Sequence, residues 1–150
     1  MAGISRILVL CTGNICRSPM AEAILRRSLG GGFQVESAGL GALVGQGAEP
    51  LAVAAMDALG LDIRPHAARQ VEESLLRSAD LVLTMTSVQK METETRWPWT
   101  RGKVWRIGHW DGYDVNDPYQ RPAEAFLQAR QLLDASCEAW TTRLRDGVKR

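Results

Sequence analysis

The chain has 150 residues, of which 45% are hydrophobic and 23% charged, and its formal net charge is +1. This length supports one hydrophobic core and is too short for two ordinary domains, so we expect one domain over residues 1–150. The nearly balanced charge argues against nucleic-acid binding over the whole surface, and no stretch approaches the ~20 apolar residues of a membrane span.

The cysteines and the N-terminal residues indicate a cellular compartment. The first apolar run is too short for the core of a secretory signal and lacks a small-residue cleavage pattern. Cys11, Cys16 and Cys137 are too few and too unevenly spaced for a disulfide framework. Both features predict a protein of the reducing cytoplasm.

The first half of the chain alternates predicted strands and helices. Residues 4–10 form a continuous apolar run, typical of a strand that is buried on both faces of a parallel sheet. A helix begins at Pro19 and ends at three consecutive glycines. The elements that follow are a strand over 33–38, a glycine-rich loop over 39–47 and a helix from Pro50 to about residue 59.

The second half continues this alternation and sets the fold class. Its predicted elements are a short helix over 71–77, strands over 80–84 and 104–107, and a helix over 122–144 whose core-facing stripe is Phe126, Leu133, Cys137, Trp140 and Leu144. Alternating strands and helices predict an α/β fold, a single three-layer domain of the flavodoxin or Rossmann kind. Its four-stranded parallel sheet is flanked by helices, and ligands bind beyond the carboxyl ends of the strands.

The segment that joins the first strand to the first helix has the composition of an anion-binding loop. Its residues run Cys-Thr-Gly-Asn-Ile-Cys-Arg-Ser, and a helix N-terminus follows, so its backbone N–H groups can converge on a tetrahedral anion. Gly13 and Asn14 tolerate the positive φ that such turns require. We predict that phosphate is bound by Thr12, Gly13, Asn14, Ile15, Cys16, Arg17 and Ser18.

Cys11 and Arg17 give this loop its chemistry. A phosphate ester reacts poorly with a neutral thiol, so a cysteine nucleophile acts as a thiolate, which a helix N-terminus and a nearby arginine stabilise. Arg17 can bind two phosphate oxygens in its planar fork, and Ser18 can donate a hydrogen bond to the sulfur. The alternatives are a cysteine that only packs and a serine that only caps the helix. The spacing Cys11-x5-Arg17 after a predicted strand favours catalysis.

Phosphate transfer from an ester oxygen also needs an acid, and three aspartates are candidates. Protonation helps the leaving oxygen depart, and the same carboxyl can later deprotonate the attacking water. Asp111, Asp114 and Asp117 are all available, and each could instead be a turn residue. Pro118 holds Asp117 in an extended backbone and favours it modestly. The residues alone leave all three open.

Cys11-x5-Arg17-Ser18 near the N-terminus resembles the low-molecular-weight protein tyrosine phosphatase family. The resemblance covers nearly the whole chain, because further segments stand in the family's order: Ser37-Ala38-Gly39, His66-Ala67-Ala68-Arg69-Gln70, Asp80-Leu81-Val82-Leu83-Thr84-Met85 and Asp117-Pro118-Tyr119. It implies a phosphotyrosine phosphatase that needs no metal or cofactor and forms a phosphocysteine. Cys11 would be the nucleophile, Arg17 the phosphate clamp and Asp117 the general acid and base.

The resemblance also implies supporting roles. Asn14 would be held by hydrogen bonds that involve Ser18, Ser37 and His66. Cys16 would form a reversible disulfide with Cys11, or alternatively pack in the loop. The walls of a deep substrate pocket, which phosphoserine is too short to use, are expected from Thr12, Ile15, Leu40 and Tyr119.

One short segment points to a class of substrate. Gly108-His109-Trp110, followed by Asp-Pro-Tyr, resembles the bacterial branch of the family that is associated with exopolysaccharide tyrosine kinases. This resemblance implies an autophosphorylating tyrosine kinase as the protein partner, with inorganic phosphate or a similar oxyanion also binding the loop. Gln120-Arg121-Pro122 departs from the family, since many members have glycine there.

Three other functions compete with this interpretation. A thioredoxin-linked arsenate reductase shares the loop but needs further cysteines, and residues 80–99 contain none. A non-catalytic phosphotyrosine-binding module would need Arg17 but neither Cys11 nor Asp117. A zinc site from Cys11, Cys16, His66 and His109 lacks a second metal-ligand pair with the usual spacing.

Overall fold

Four parallel strands form the centre of the molecule in a computed structural model, which describes the backbone of residues 3–149 and the side chains of residues 3–147. The sheet order is β2-β1-β3-β4, and every neighbouring pair is parallel. The α/β class predicted from the sequence is therefore confirmed. The strands are β1 (Arg6–Cys11), β2 (Gln34–Gly39), β3 (Leu81–Thr84) and β4 (Val104–Arg106).

Helices cover both faces of this sheet. On β1, Ile7 and Val9 point to the face that packs against the first, second and last helices, while Leu8 and Leu10 point to the other face. This two-sided burial explains the continuous apolar run, because neither face of the strand meets water. The helices are α1 (Arg17–Leu29), α2 (Pro50–Asp57), α3 (Glu73–Ser78), α4 (Ser87–Arg96) and α5 (Ala123–Lys149), with short 3-10 turns at Gly30–Gly32 and Pro98–Thr100.

The predicted stripe on the last helix is confirmed. Its members are all buried in the core cluster between α5 and the sheet: Phe126, Leu133, Cys137, Trp140 and Leu144. The Trp140 indole also donates a 2.7 Å hydrogen bond to the carbonyl of Ile107, just after β4. This contact fixes α5 beside the segment that leads into the site.

Helix α4 was not predicted, because it lacks an apolar stripe. Val88 and Met91, its largest apolar residues, are exposed. A capping box begins the helix instead: the Thr86 side chain accepts from the Gln89 backbone N–H, and the Gln89 side chain accepts from the Thr86 backbone N–H. Sequence periodicity therefore gave no signal, although the capping residues were present.

Within residues 3–149, none of the helices combines the length and the apolar character that crossing a lipid bilayer requires.

Candidate active site

The loop between β1 and α1 lies at the carboxyl end of the sheet, where the topology predicts a ligand site. It pairs with the chain that leaves β2: Leu40 N–H donates to the Cys11 carbonyl at 2.9 Å, and Gly41 N–H donates to the Thr12 carbonyl at 3.0 Å. The two backbones approach so closely at Gly39 that an added Cβ would lie 2.6 Å from the Thr12 oxygen. Glycine is required at this position because of that approach.

The Cys11 sulfur is buried and accepts hydrogen bonds from the loop. Asn14 N–H lies 3.3 Å from Sγ, and Ser18 Oγ lies 2.9 Å away. The Asn14 side-chain amide donates to Ser18 Oγ at 2.8 Å, so the hydroxyl hydrogen of Ser18 is free to point at the sulfur. Two donors therefore converge on Sγ, the arrangement that stabilises a thiolate.

Asn14 holds the loop in shape through every polar group of its side chain. Its φ is +59°, a conformation that few residues except glycine and asparagine adopt readily, whereas Gly13 does not use a positive φ. The amide donates to Ser37 Oγ at 3.0 Å, and Oδ1 accepts from Arg69 N–H at 2.9 Å. His66 Nε2 donates to the Asn14 carbonyl at 2.6 Å.

The structure thus brings together the predicted support residues Asn14, Ser18, Ser37 and His66. Arg69 was missed. Its backbone N–H contacts Asn14, and its side-chain Nε donates to the Ser37 carbonyl at 2.9 Å. Its place three residues after His66 was the one available hint.

The Arg17 guanidinium is buried and only partly paired. Nη1 donates to the Val115 carbonyl at 2.9 Å, and Nη2 lies 3.5 Å from Asp117 Oδ2. Its Nε has no hydrogen-bond partner among the described residues. Because an unpartnered buried N–H is costly and Arg17 lines the pocket, an anion there would supply the missing acceptor.

The three candidate aspartates have different surroundings. Asp117 lines the pocket beside Arg17 and Cys11, with its side chain 47% exposed. Its Oδ1 accepts from Tyr119 N–H at 3.1 Å. Asp114 bonds outside the pocket to Arg106 and Ser87, and Asp111 is exposed. Geometry therefore distinguishes what the sequence alone left open.

The segment 107–122, called the acid loop because it carries Asp117, contains one non-glycine residue with a positive φ. Gln120 has a φ of +63°, in the left-handed region that favours glycine. Gln120 opens the segment Gln120-Arg121-Pro122, in which the sequence departs from the family pattern stated above. The chain therefore adopts the glycine-like turn without the glycine.

A pocket of about 180 Å³ opens above Cys11. The predicted wall residues Thr12, Ile15 and Tyr119 line it, but Leu40 does not. Leu40 is buried in the core on the opposite face of the sheet, packed with Leu8 and Leu10, which corrects its assignment. The loop after β2 continues to pair beside the Cys11 loop, and this pairing directs Leu40 inward. The lining residues it supplies are Gly41 and Leu43.

The second loop cysteine has the electrostatics of a neutral thiol. Burial, followed by the charges of Cys11 and Asp117, raises the pKa of Cys16 to about 12. Cys11 and Cys16 are both free thiols in the structure. Cys16 lines the same pocket as Cys11, so the two predicted redox partners share one site.

Over the described residues, no three His, Cys, Asp or Glu side chains are grouped closely enough to hold a metal ion. The ring of His109, one of the candidate zinc ligands, packs edge-on against Trp105 and Trp110. The other histidine, His66, donates to the loop carbonyl of Asn14.

Comparisons with protein families and with individual known proteins point to the same chemistry as the geometry of the site. Residues 6–150 match the family model described as low molecular weight phosphotyrosine protein phosphatase. The chain is 46% identical to a probable low molecular weight protein-tyrosine-phosphatase, EpsP, of Ralstonia nicotianae, over 95% of this chain and 97% of that protein.

Two solved structures resemble the chain in fold as well as in sequence. Vibrio vulnificus Wzb in complex with benzylphosphonate superposes with a TM-score of 0.91 at 35% identity, covering 95% of this chain and all (100%) of that one. The arginine phosphatase YwlE of Geobacillus stearothermophilus superposes with a TM-score of 0.90 at 32% identity, covering 95% of this chain and 94% of that one.

Proposed function

The chain belongs to the low molecular weight phosphotyrosine protein phosphatase family, and from this premise we propose that it hydrolyses phosphotyrosine in proteins through a phosphocysteine intermediate. In this proposal, Cys11 is the nucleophile, Arg17 binds the phosphoryl oxygens and Asp117 is the general acid and base. The loop from Thr12 to Ser18 supplies the backbone donors.

The observation that carries the proposal is the arrangement around the Cys11 sulfur. Sγ lies in one pocket with the partly unpaired guanidinium of Arg17 and the carboxyl of Asp117. A nucleophile, an anion clamp and a proton donor are the three groups that thiol-dependent phosphate hydrolysis requires. The benzylphosphonate held by Vibrio vulnificus Wzb has the shape of an aryl phosphate, which supports an aryl ester as substrate here.

The reaction has two steps. The Cys11 thiolate attacks phosphorus, the bond from phosphorus to the tyrosyl oxygen breaks, and Asp117 gives its proton to that oxygen. A water then attacks the phosphocysteine while Asp117 takes a proton from it. Inorganic phosphate and the thiolate are released, and Ser18 and the Asn14 N–H stabilise the departing sulfur.

The test is phosphate release from a phosphotyrosine peptide, in chelator and reductant, by wild type and Cys11→Ser. We expect wild type to turn over and Cys11→Ser to show no detectable turnover, because serine is a poor nucleophile without a base. Cys137→Ala, which removes a buried core thiol that does not line the pocket, serves as the matched control and should keep its activity. Retained activity in a folded Cys11→Ser variant would contradict the mechanism.

Substrate class is tested with phosphoserine and phosphoarginine peptides in the same assay. The pocket is walled by Ile15, Leu43 and Tyr119, which favours an aromatic ester over a short serine ester. The relative YwlE is an arginine phosphatase, so phosphoarginine is the informative competitor. Turnover of phosphoarginine in place of phosphotyrosine would be compatible with the family but would contradict phosphotyrosine as the substrate.

The biological setting is a further part of the proposal. Gly108-His109-Trp110 supports an enzyme that dephosphorylates an autophosphorylating tyrosine kinase of exopolysaccharide synthesis or export, and the three scattered cysteines support the cytoplasm as its compartment. We take residues 1–150 as one catalytic domain, a proposal that the family match over residues 6–150 supports.

A reversible Cys11–Cys16 disulfide would protect the nucleophile, and mass spectrometry after mild peroxide treatment would detect it.

A further inference from the structure

We propose that Asp114 is a positioning residue that fixes both the acid loop and the phosphate clamp; this inference rests on the proposed function. Asp114 does not line the pocket, whereas Asp117, three positions later in the sequence, does. Of the two aspartates, only Asp117 is placed to exchange a proton with substrate. Asp114 acts through the neighbours it holds.

Asp114 joins three elements at the edge of the site. Its Oδ1 accepts from Ser87 N–H at 3.0 Å, at the start of α4, and from Arg106 Nη1 at 3.0 Å, at the end of β4. Arg106 Nη1 also lies 3.2 Å from Ser87 Oγ, which closes the cluster. The Asp114 and Arg106 side chains are 37% and 23% exposed, so solvent screens this ion pair only in part.

The residue that follows Asp114 directly in the chain is Val115. Its N–H donates to the Met85 carbonyl at 2.9 Å, and its carbonyl accepts the Arg17 Nη1 bond at 2.9 Å. Val115 is fully buried. The position of its carbonyl sets the rotation of the guanidinium, and with it the direction of the Nε and Nη2 donors.

The same cluster controls the placement of Asp117. Among the described residues, the Asp117 carboxyl is oriented by the bond from Tyr119 N–H and by the 3.5 Å contact with Arg17 Nη2 alone. The carboxyl is half-exposed and weakly held, so its position depends on the preceding residues of the loop, Asp114 and Val115. Loss of the Asp114 bonds would therefore loosen the proton donor and the phosphate clamp together.

The experiment compares Asp114→Ala with Asp111→Ala, an exposed carboxyl on the same loop. Rates are measured on aryl phosphates whose leaving groups span a wide range of pKa, with inorganic phosphate as inhibitor. For poor leaving groups we expect Asp114→Ala to lower kcat/KM between ~10-fold and ~100-fold, because small misplacements of catalytic groups have effects of that size. Good leaving groups should lose less, and phosphate should inhibit several-fold more weakly. Asp111→Ala should match wild type.

A merely structural role would give a different pattern. An equal loss for every leaving group with unchanged inhibition by phosphate, or an Asp114→Ala variant that matches Asp111→Ala, would overturn the proposal. If Asp114→Ala does not fold, Asp114→Asn replaces it, since the amide oxygen still accepts but carries no charge. The loss of kcat/KM in Asp114→Asn should be smaller and still greatest for poor leaving groups. An equal loss for every leaving group would overturn the proposal.

A double-mutant cycle and a binding assay complete the test. Arg106→Met should reproduce the pattern, and the double variant should be no worse than Asp114→Ala, because both changes break one cluster. Additive losses would count against a shared role. Thermal protection by inorganic phosphate needs no turnover, so a loss of protection in Asp114→Ala supports the proposal even if phosphotyrosine proves not to be the substrate, and unchanged protection opposes it.

Discussion

Asn14 shows how one side chain can determine the shape of an anion-binding loop. A positive φ is costly for most residues, and asparagine tolerates it because its short amide bonds locally. Here the amide is fully buried and bonds to Ser18, Ser37 and the backbone of Arg69. Aspartate at this position would lose both donor bonds and add a negative charge close to the Cys11 sulfur.

The proton donor gives a prediction at the same scale. Asp117→Asn keeps the shape of the side chain but cannot donate a proton from a carboxyl group. We expect kcat/KM to fall by about 100-fold for aryl phosphates with poor leaving groups, within the usual range for general acid catalysis, and far less for good ones. The measurement is the slope of log kcat/KM against leaving-group pKa, which should become steeper. Equal slowing across the series would remove Asp117 from the acid role.

Among the elements, the loop after β2 depends on a strand-like segment far along the chain. Gly39 forms a parallel bridge with Gln70, and the Gln70 side chain continues that pairing. Its Nε2 donates to the Leu40 carbonyl and its Oε1 accepts from Ala42 N–H, each at 2.8 Å. One amide therefore replaces a strand partner and holds the backbone beside the pocket wall at Leu43.

Gln70→Ala tests this function of the loop. The substitution leaves the Leu40 carbonyl and the Ala42 N–H without their side-chain partner, so the wall should loosen while Cys11 and Arg17 keep their own contacts. We expect KM for a phosphotyrosine peptide to rise several-fold with kcat nearly unchanged. Gln34→Ala, an exposed glutamine at the start of β2, is the matched control. A fall in kcat with constant KM would show that the loop serves chemistry and not binding.

At the scale of the whole molecule, Asp80 ties the sheet together at the end opposite the site. Its Oδ2 accepts from the backbone N–H groups of Ser5 and Arg6, both at 2.9 Å, and so links the start of β1 to the start of β3. These two hydrogen bonds lower the pKa of Asp80 below its ordinary value of 3.8. A carboxyl whose pKa is lowered by folding stabilises the fold above its unfolded pKa, and loses that contribution as the pH falls.

The contribution of Asp80 to stability should therefore be full at neutral pH and should disappear at acid pH. We expect Asp80→Asn to be less stable than wild type at pH 7, and the difference to shrink as the pH falls from about 5 towards and below the pKa of the folded carboxyl. Urea unfolding midpoints at a series of pH values measure this. The unfolding midpoints of Asp111→Asn should change with pH as those of wild type do. If the midpoints of Asp80→Asn also followed wild type, the stabilising role of Asp80 would be contradicted.

The sequence by itself determined the sheet, most of the helices and the identity of the reactive loop. Continuous apolar runs predicted buried parallel strands, and the spacing of Phe126, Leu133 and Cys137 predicted the face of α5 that is buried. These features are local, because periodicity and turn chemistry act over a few residues. Cys11-x5-Arg17-Ser18 is local too, so its chemistry could be predicted before any fold was known.

The family resemblance named Ser37, His66 and Asp117 as distant partners of that loop, and only the tertiary structure decided the others. Helix α4 is held by its cap and has no apolar stripe, and Leu43 lines the pocket because the loop after β2 pairs with the Cys11 loop. Pro118 and the family resemblance favoured Asp117 over Asp111 and Asp114, but the contacts that separate the three aspartates come from β4, α4 and Arg17. A side chain's role depends on neighbours far along the chain, and packing of the parallel sheet is what brings those neighbours together.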